Sequence, residues 1–200
     1  KVIQESVKHI NVNELKGTVI AIPGLNALSI EQDKRRFIDE EDLNRNFPGK
    51  DNGNRSQQYG WQINQKSLPK LDYLIDMHTA SFGRINSLYV RGELGDEKIS
   101  KMAMLQDADI VLNNKGVPSA GDNISATRTM RAEAMLKGIP TITVEYGNPQ
   151  VYQGDMVLRG VVGVKNVMNW LNMQTFTIPE IKPAVICKKS YWVYIDQGGL

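Results

Sequence analysis

Apolar residues follow two spacings along this chain. Four short runs are rich in β-branched and other apolar residues: Gly-Thr-Val-Ile-Ala-Ile-Pro over 17–23, Leu-Asp-Tyr-Leu-Ile-Asp-Met over 71–77, Ala-Asp-Ile-Val-Leu over 108–112 and Ile-Pro-Thr-Ile-Thr-Val over 139–144. They read as strands, and the first, closed by Pro-Gly, reads as buried on both faces. Between them, 96–106 and 127–137 carry helical spacing, and 155–173 sets Val157, Val161, Val164, Val167, Met168 and Leu171 on one stripe of a helix. Strands alternating with helices predict an α/β domain with a mostly parallel or mixed central sheet and helices on both faces, because parallel strands need crossover connections. The polar tract over 49–56 reads as a surface loop, and 178–183, with two prolines, reads as a linker. Beyond it, Ser-Tyr-Trp-Val-Tyr-Ile over 190–195 alternates like a strand, so the expected division is an α/β domain over 1–176 and the start of a small β-rich module over 177–200.

Composition narrows the class without deciding it. With 200 residues, 41% hydrophobic and 23% charged, the chain is that of a soluble globular protein able to bury a sizeable core. A net charge of +2 supplies no field that would select nucleic acid or an anionic membrane. The basic cluster Lys34, Arg35, Arg36 is short and lies among Asp33, Asp39, Glu40, Glu41 and Asp42, which cancel it. No apolar run approaches the roughly 20 residues that span a bilayer. One cysteine, Cys187, cannot form an internal disulfide, which places the expected location in the cytoplasm.

In doubly wound sheets, ligands bind beyond the carboxyl ends of the strands. Polar residues directly after apolar runs are therefore the first candidates for chemistry. His78 follows the run 71–77 and Glu145 follows 139–144. If these strands are parallel members of one sheet, an imidazole and a carboxylate share an edge. A third candidate is Asp-Leu-Asn-Arg-Asn-Phe-Pro-Gly over 42–49, where Asn44 and Arg45 offer donors suited to a carboxylate. Asp76 lies two residues before His78, hence on the same face of an extended strand, where it could orient the imidazole or simply bond to backbone. Arg131, on an expected helix fourteen residues before Glu145, is a second candidate substrate cation. Singly, each of these also fits an exposed histidine, a capping glutamate or a solvated basic turn.

In combination, Asp-Leu-Asn-Arg-Asn-Phe-Pro-Gly, then Asp-Met-His-Thr-Ala, then Thr-Val-Glu-Tyr-Gly resembles the aspartoacylase and succinylglutamate desuccinylase family, which is related in fold to the zinc carboxypeptidases. Carried over by position, the resemblance makes His78 the last zinc ligand, Glu145 the general base, Asn44 with Arg45 the clamp on a substrate carboxylate, and Arg36 the arginine that stabilises the oxyanion. The stretch after Arg36 is one residue longer than the family form, and Arg35 competes with Arg36 for that role. The resemblance implies one Zn2+ per chain and a small N-acyl amino acid-like substrate. Its amide, or ester, bond would be cleaved by metal-activated water.

The family draws its first two zinc ligands from His-Gly-x-Glu, and no His-x-x-Glu occurs in these 200 residues. The remaining ligands are therefore expected upstream of Lys1, in a longer protein, and the absence of an initiator Met agrees with that. Glu5 and His9 are four apart in reversed order and read as a solvated helix face. Two alternatives stand beside the deacylase: a metallocarboxypeptidase acting on peptides with a free C-terminus, and a non-catalytic carboxylate-binding protein without a complete metal site.

Overall fold

The computed structural model describes residues 1–116 and 128–191. Five strands, Leu74–His78 (β1), Tyr89–Gly92 (β2), Ile110–Asn113 (β3), Thr141–Glu145 (β4) and Val185–Cys187 (β5), form one sheet in the order β1-β4-β2-β3-β5. β1 is parallel to β4, and β3 is parallel to both β2 and β5. The two sets meet antiparallel where β2 pairs with β4. The sheet is thus open and mixed, as the alternation of strands and helices predicts.

Among the described residues there are six α-helices: Val2–Lys8 (α1), Ala27–Glu31 (α2), Arg55–Lys66 (α3), Glu97–Met104 (α4), Met130–Leu136 (α5) and Gly154–Trp170 (α6). Their starts follow local chemistry. Asn54 and Gln57 form a capping box on α3, Asp96 accepts from the Ile99 amide on α4, and Thr129 accepts from the Ala132 amide on α5.

Side chains alternate across a strand, so each face of the sheet collects its own core. On one face, Ile75 and Met77 of β1 join Val90, Val111, Ile142 and Val144 against Val2 of α1, Ile99 and Met102 of α4 and Val157 of α6. Val90 and Ile142 are wholly buried, each side chain contributing about 1.5–3 kcal/mol. On the other face, Leu74 packs with Phe47, Ile63 of α3, Leu68, Met130 and Ala134 of α5, and Ile139. Helices therefore cover both faces, and α3 and α5 lie against the beginning of β1, leaving the ends of β1 and β4 to other residues.

Two expectations change. The run over 17–23 is not a strand: it makes no ladder pairing, and Val19, Ile20 and Ile22 are exposed. β-branched residues favour an extended backbone, but a strand also needs a neighbour's donors and acceptors, and no strand among the described residues lies beside this run. The loop over 49–56 is shorter than expected, because α3 begins at Arg55. Val185–Cys187, within the segment expected to open a separate β-rich module, pairs with β3 of the main sheet. The aromatic strand expected over 190–195 falls largely outside the described residues.

Candidate active site

The register of β1, β4 and β2 builds the site directly. His78 pairs with Glu145, and Glu145 with Tyr89; one step back, Asp76 pairs with Thr143, and Thr143 with Arg91. Directly paired residues point to the same face, and residues two apart share it. Two polar rungs, His78–Glu145–Tyr89 and Asp76–Thr143–Arg91, thus lie on one face across three strands about 4.8 Å apart. This is the face on which Leu74 meets α3 and α5 lower down. The intervening residues Ile75, Met77, Ile142, Val144 and Val90 point into the opposite core, which anchors the strands and fixes the grid above.

Within the grid, Asp76 Oδ2 lies 2.9 Å from His78 Nε2. That contact occupies Nε2 and leaves Nδ1 as the ring nitrogen open to another partner. Burial would lower the imidazole's pKa, but the charge and hydrogen bond of Asp76, helped by Glu145, outweigh it and hold His78 above its usual value. Glu145 is buried, and burial pushes its carboxyl upward against the opposing pull of His78, Arg91 and Asn86. Asn86 Nδ2 donates to Glu145 Oε2 at 3.0 Å, and an Arg91 Nη2 lies 3.5 Å from Oε1.

The stretch 42–48 reaches the site through α5. Phe47 and Arg128 exchange backbone hydrogen bonds, and Asn44 Oδ1 accepts from the Met130 amide at the first turn of α5 at 2.9 Å. Asn44 thus holds a helix that carries Arg131. Arg131 is buried and donates to the backbone and side-chain oxygens of Asn114; burial and the nearby Arg91 charge bring it down to about 10, so it remains a cation at neutral pH. Arg45 is exposed and forms no hydrogen bond or ion pair among the described residues. The two adjacent arginines diverge. Arg36 Nη1 donates to the Glu40 carbonyl, whereas Arg35 bridges Asp42 Oδ2 at 2.8 Å and Ser81 Oγ at 3.2 Å. Arg35, not Arg36, therefore touches the loop that follows His78.

His78 backed by Asp76 has the chemistry of one metal ligand, since a carboxylate on the far ring nitrogen fixes the tautomer and raises basicity. Among the described residues no group of three His, Cys, Asp or Glu converges, so these residues do not by themselves complete a three-ligand site.

Arg91, Tyr89 and Asn86 are members of the site that sequence reasoning missed. A signal existed: Tyr89 and Arg91 flank Val90 with the two-residue period of a half-buried strand. The stretch is too short and polar to stand out as an apolar run.

With this geometry in place, comparison with known proteins decides the class. The model of the succinylglutamate desuccinylase/aspartoacylase catalytic domain matches residues 1–171. The chain belongs to that family. A succinylglutamate desuccinylase/aspartoacylase structure from Rhodobacter sphaeroides superposes with a TM-score of 0.77 at 22% identity, covering 94% of this chain and 58% of that one. A succinylglutamate desuccinylase from Silicibacter sp. TM1040 gives 0.77 at 19%, covering 92% and 56%. The product-bound ectoine utilization protein EutE (DoeB) from Ruegeria pomeroyi gives 0.80 at 16%, covering 95% and 57%. These likenesses establish the fold, and the chain spans somewhat more than half the length of each structure. No curated protein matches the sequence.

Proposed function

We propose that this chain forms the larger part of the catalytic unit of a zinc-dependent hydrolase that cleaves the amide, or ester, bond of a small N-acyl amino acid-like carboxylate. The observation that carries the reading is the His78–Glu145–Tyr89 rung, with Asp76 behind the imidazole, in a chain of this family. Zinc, when bound with His78 as one ligand and the others supplied from upstream of Lys1, contributes Lewis acidity and acidifies water.

The remaining chemistry belongs to the chain's own side chains. Glu145 is the base: its carboxyl, raised by burial, sits nearer the working range in which one group can accept a proton from water and return it to a departing amine. Arg45, exposed and unpartnered among the described residues, is the grip on the substrate carboxylate. Asn44 supports that grip by fixing α5, on which Arg131 adds a buried positive charge. Arg36, with Nη1 on the Glu40 carbonyl, takes the oxyanion role through its remaining N–H groups. No described helix is long and apolar enough to cross a membrane, and a cytoplasmic location is part of the proposal.

The test is Glu145→Gln in the full-length protein, assayed against a panel of N-acyl amino acids and peptides with free C-termini. Loss of general-base catalysis is expected to lower kcat by about 10²- to 10⁴-fold. Undiminished hydrolysis by E145Q overturns the proposal. Arg45-dependent carboxylate binding by a parent protein that hydrolyses nothing replaces it with a binding protein, and preference for peptides replaces it with a carboxypeptidase.

A further inference from the structure

Arg91 is the arginine of the polar grid, and among the described residues its polar contacts, to Tyr89 and Glu145, are internal. It sits on β2 one rung behind Glu145, and its guanidinium reaches forward along its own strand to the Tyr89 hydroxyl, which it meets as a donor. The same Nη2 lies 3.5 Å from Glu145 Oε1, and the guanidinium carbon is 5.1 Å from the centre of the Tyr89 ring. The other oxygen of Glu145, Oε2, is taken by the Asn86 amide. The carboxylate is therefore held from two sides, by a group at the root of β2 and by a group partway along it.

The arrangement is not one that packing alone would select. The Arg91 Nε is buried and has no acceptor among the described residues, so the guanidinium keeps this pose while leaving a donor unused. A freely chosen surface rotamer would give that donor to water. Nor is the Arg91 pose that of a free anion trap like Arg45, because its Nη2 is already engaged by Tyr89 and Glu145.

We propose that Arg91, steadied by Tyr89, is a positioning residue that fixes the Glu145 carboxylate in the orientation from which it accepts a proton. The inference rests on the reading of Glu145 as the base. A misplaced base is costly because small errors in the position of a reacting group lower the rate steeply. Asn86 alone leaves Oε1 free to swing about the Oε2 contact; Arg91 removes that freedom. Lysine could supply the charge, but its flexible ammonium lacks the rigid planar group that holds one nitrogen, Nη2, against both Tyr89 and Glu145, so it is an incomplete substitute.

The experiment is steady-state kinetics on the full-length protein for Arg91→Ala, Arg91→Lys, Tyr89→Phe, Glu145→Gln and the double variant Arg91→Ala/Glu145→Gln, with thermal melts to confirm folding. R91A is expected to lower kcat about 10- to 100-fold with KM nearly unchanged, and R91K to recover part of the loss. In the E145Q background, R91A is expected to add little, because a residue that acts through Glu145 has nothing left to position. Should R91A fail to fold, Y89F carries the test, with a several-fold fall in kcat at constant KM as the expected result. Wild-type kcat in R91A, or in Y89F where that variant carries the test, overturns the proposal. So does a rise in KM with kcat unchanged, which would mean that Arg91 grips substrate, or a full further loss in the double variant. Each of these can occur with E145Q strongly impaired but still measurable, which leaves the reading of Glu145 standing; a fully active E145Q removes that reading itself.

Discussion

Asp76 and His78 point the same way from β1, and the Asp76 Oδ2 lies 2.9 Å from the His78 Nε2. The pairing keeps the imidazole oriented with Nδ1 outward. Replacing Asp76 by Asn preserves the shape while removing the charge that orients the ring and raises its basicity. Loss of such a partner lowers metal affinity by about 10- to 100-fold. Competition of the full-length protein against a zinc chelator, comparing parent and D76N, measures it directly; unchanged affinity would separate Asp76 from the metal.

Asp39 ties the basic stretch to α3. Its Oδ2 accepts from the Ser56 amide at 2.8 Å and its Oδ1 from the Ser56 hydroxyl at 2.5 Å. Burial raises the Asp39 carboxyl, but the Ser56 hydrogen bonds and neighbouring backbone amides outweigh it and hold the group below its ordinary value. The folded state thus prefers the charged form. The resulting stability is present above the unfolded-chain value of about 3.9 and is lost as the pH falls through the lower folded value. Urea midpoints measured at pH 7 and at about pH 3 should differ less in Ser56→Ala than in the parent, because the variant has lost part of what depends on the charge.

Asn44 and Arg45 are adjacent in sequence and separable in effect. The Asn44 carbonyl oxygen is occupied by the Met130 amide, so Asn44→Ala is expected to cost about 1 kcal/mol of stability, as other helix-start acceptors do. It should also raise KM, since α5 carries Arg131. Arg45→Ala breaks no contact among the described residues and is expected to raise KM with the melting temperature unchanged. Calorimetry alongside kinetics distinguishes the two.

What could be read in advance followed from how local each signal is. β4 is Thr-Ile-Thr-Val-Glu, and that strict alternation, ending in a carboxylate, contains both the buried core face and the polar face of the site. The rule that function gathers at strand ends sets His78 and Glu145 on one edge, and the register agrees. β2 escaped because Tyr-Val-Arg-Gly has only one interior apolar residue; its identity as a strand comes from pairing with β3 and β4, which is not a local property. The run over 17–23 shows the converse, since strong β-propensity there finds no pairing. Arg36 and Arg35 are indistinguishable by composition, and only the fold shows which one reaches Ser81.

Gly160 lies on the face of α6 that meets α1. A Cβ at this position would come within 2.7 Å of Val2 Cγ1 and 2.8 Å of Tyr146 Cε1. Neither neighbour can easily withdraw. Val2 has a stiff branched side chain, and Tyr146 is buried beneath the helix with its hydroxyl lacking a partner among the described residues. In an exposed helix, Gly→Ala would stabilise by up to about 1 kcal/mol. Here overpacking, typically about 1–3 kcal/mol, outweighs that gain. Gly160→Ala should therefore lower the urea midpoint and weaken amide-exchange protection in α1 more than in β4, because α1 is the element pushed away. A higher midpoint in G160A would mean that α1 shifts to accept the methyl group at no cost.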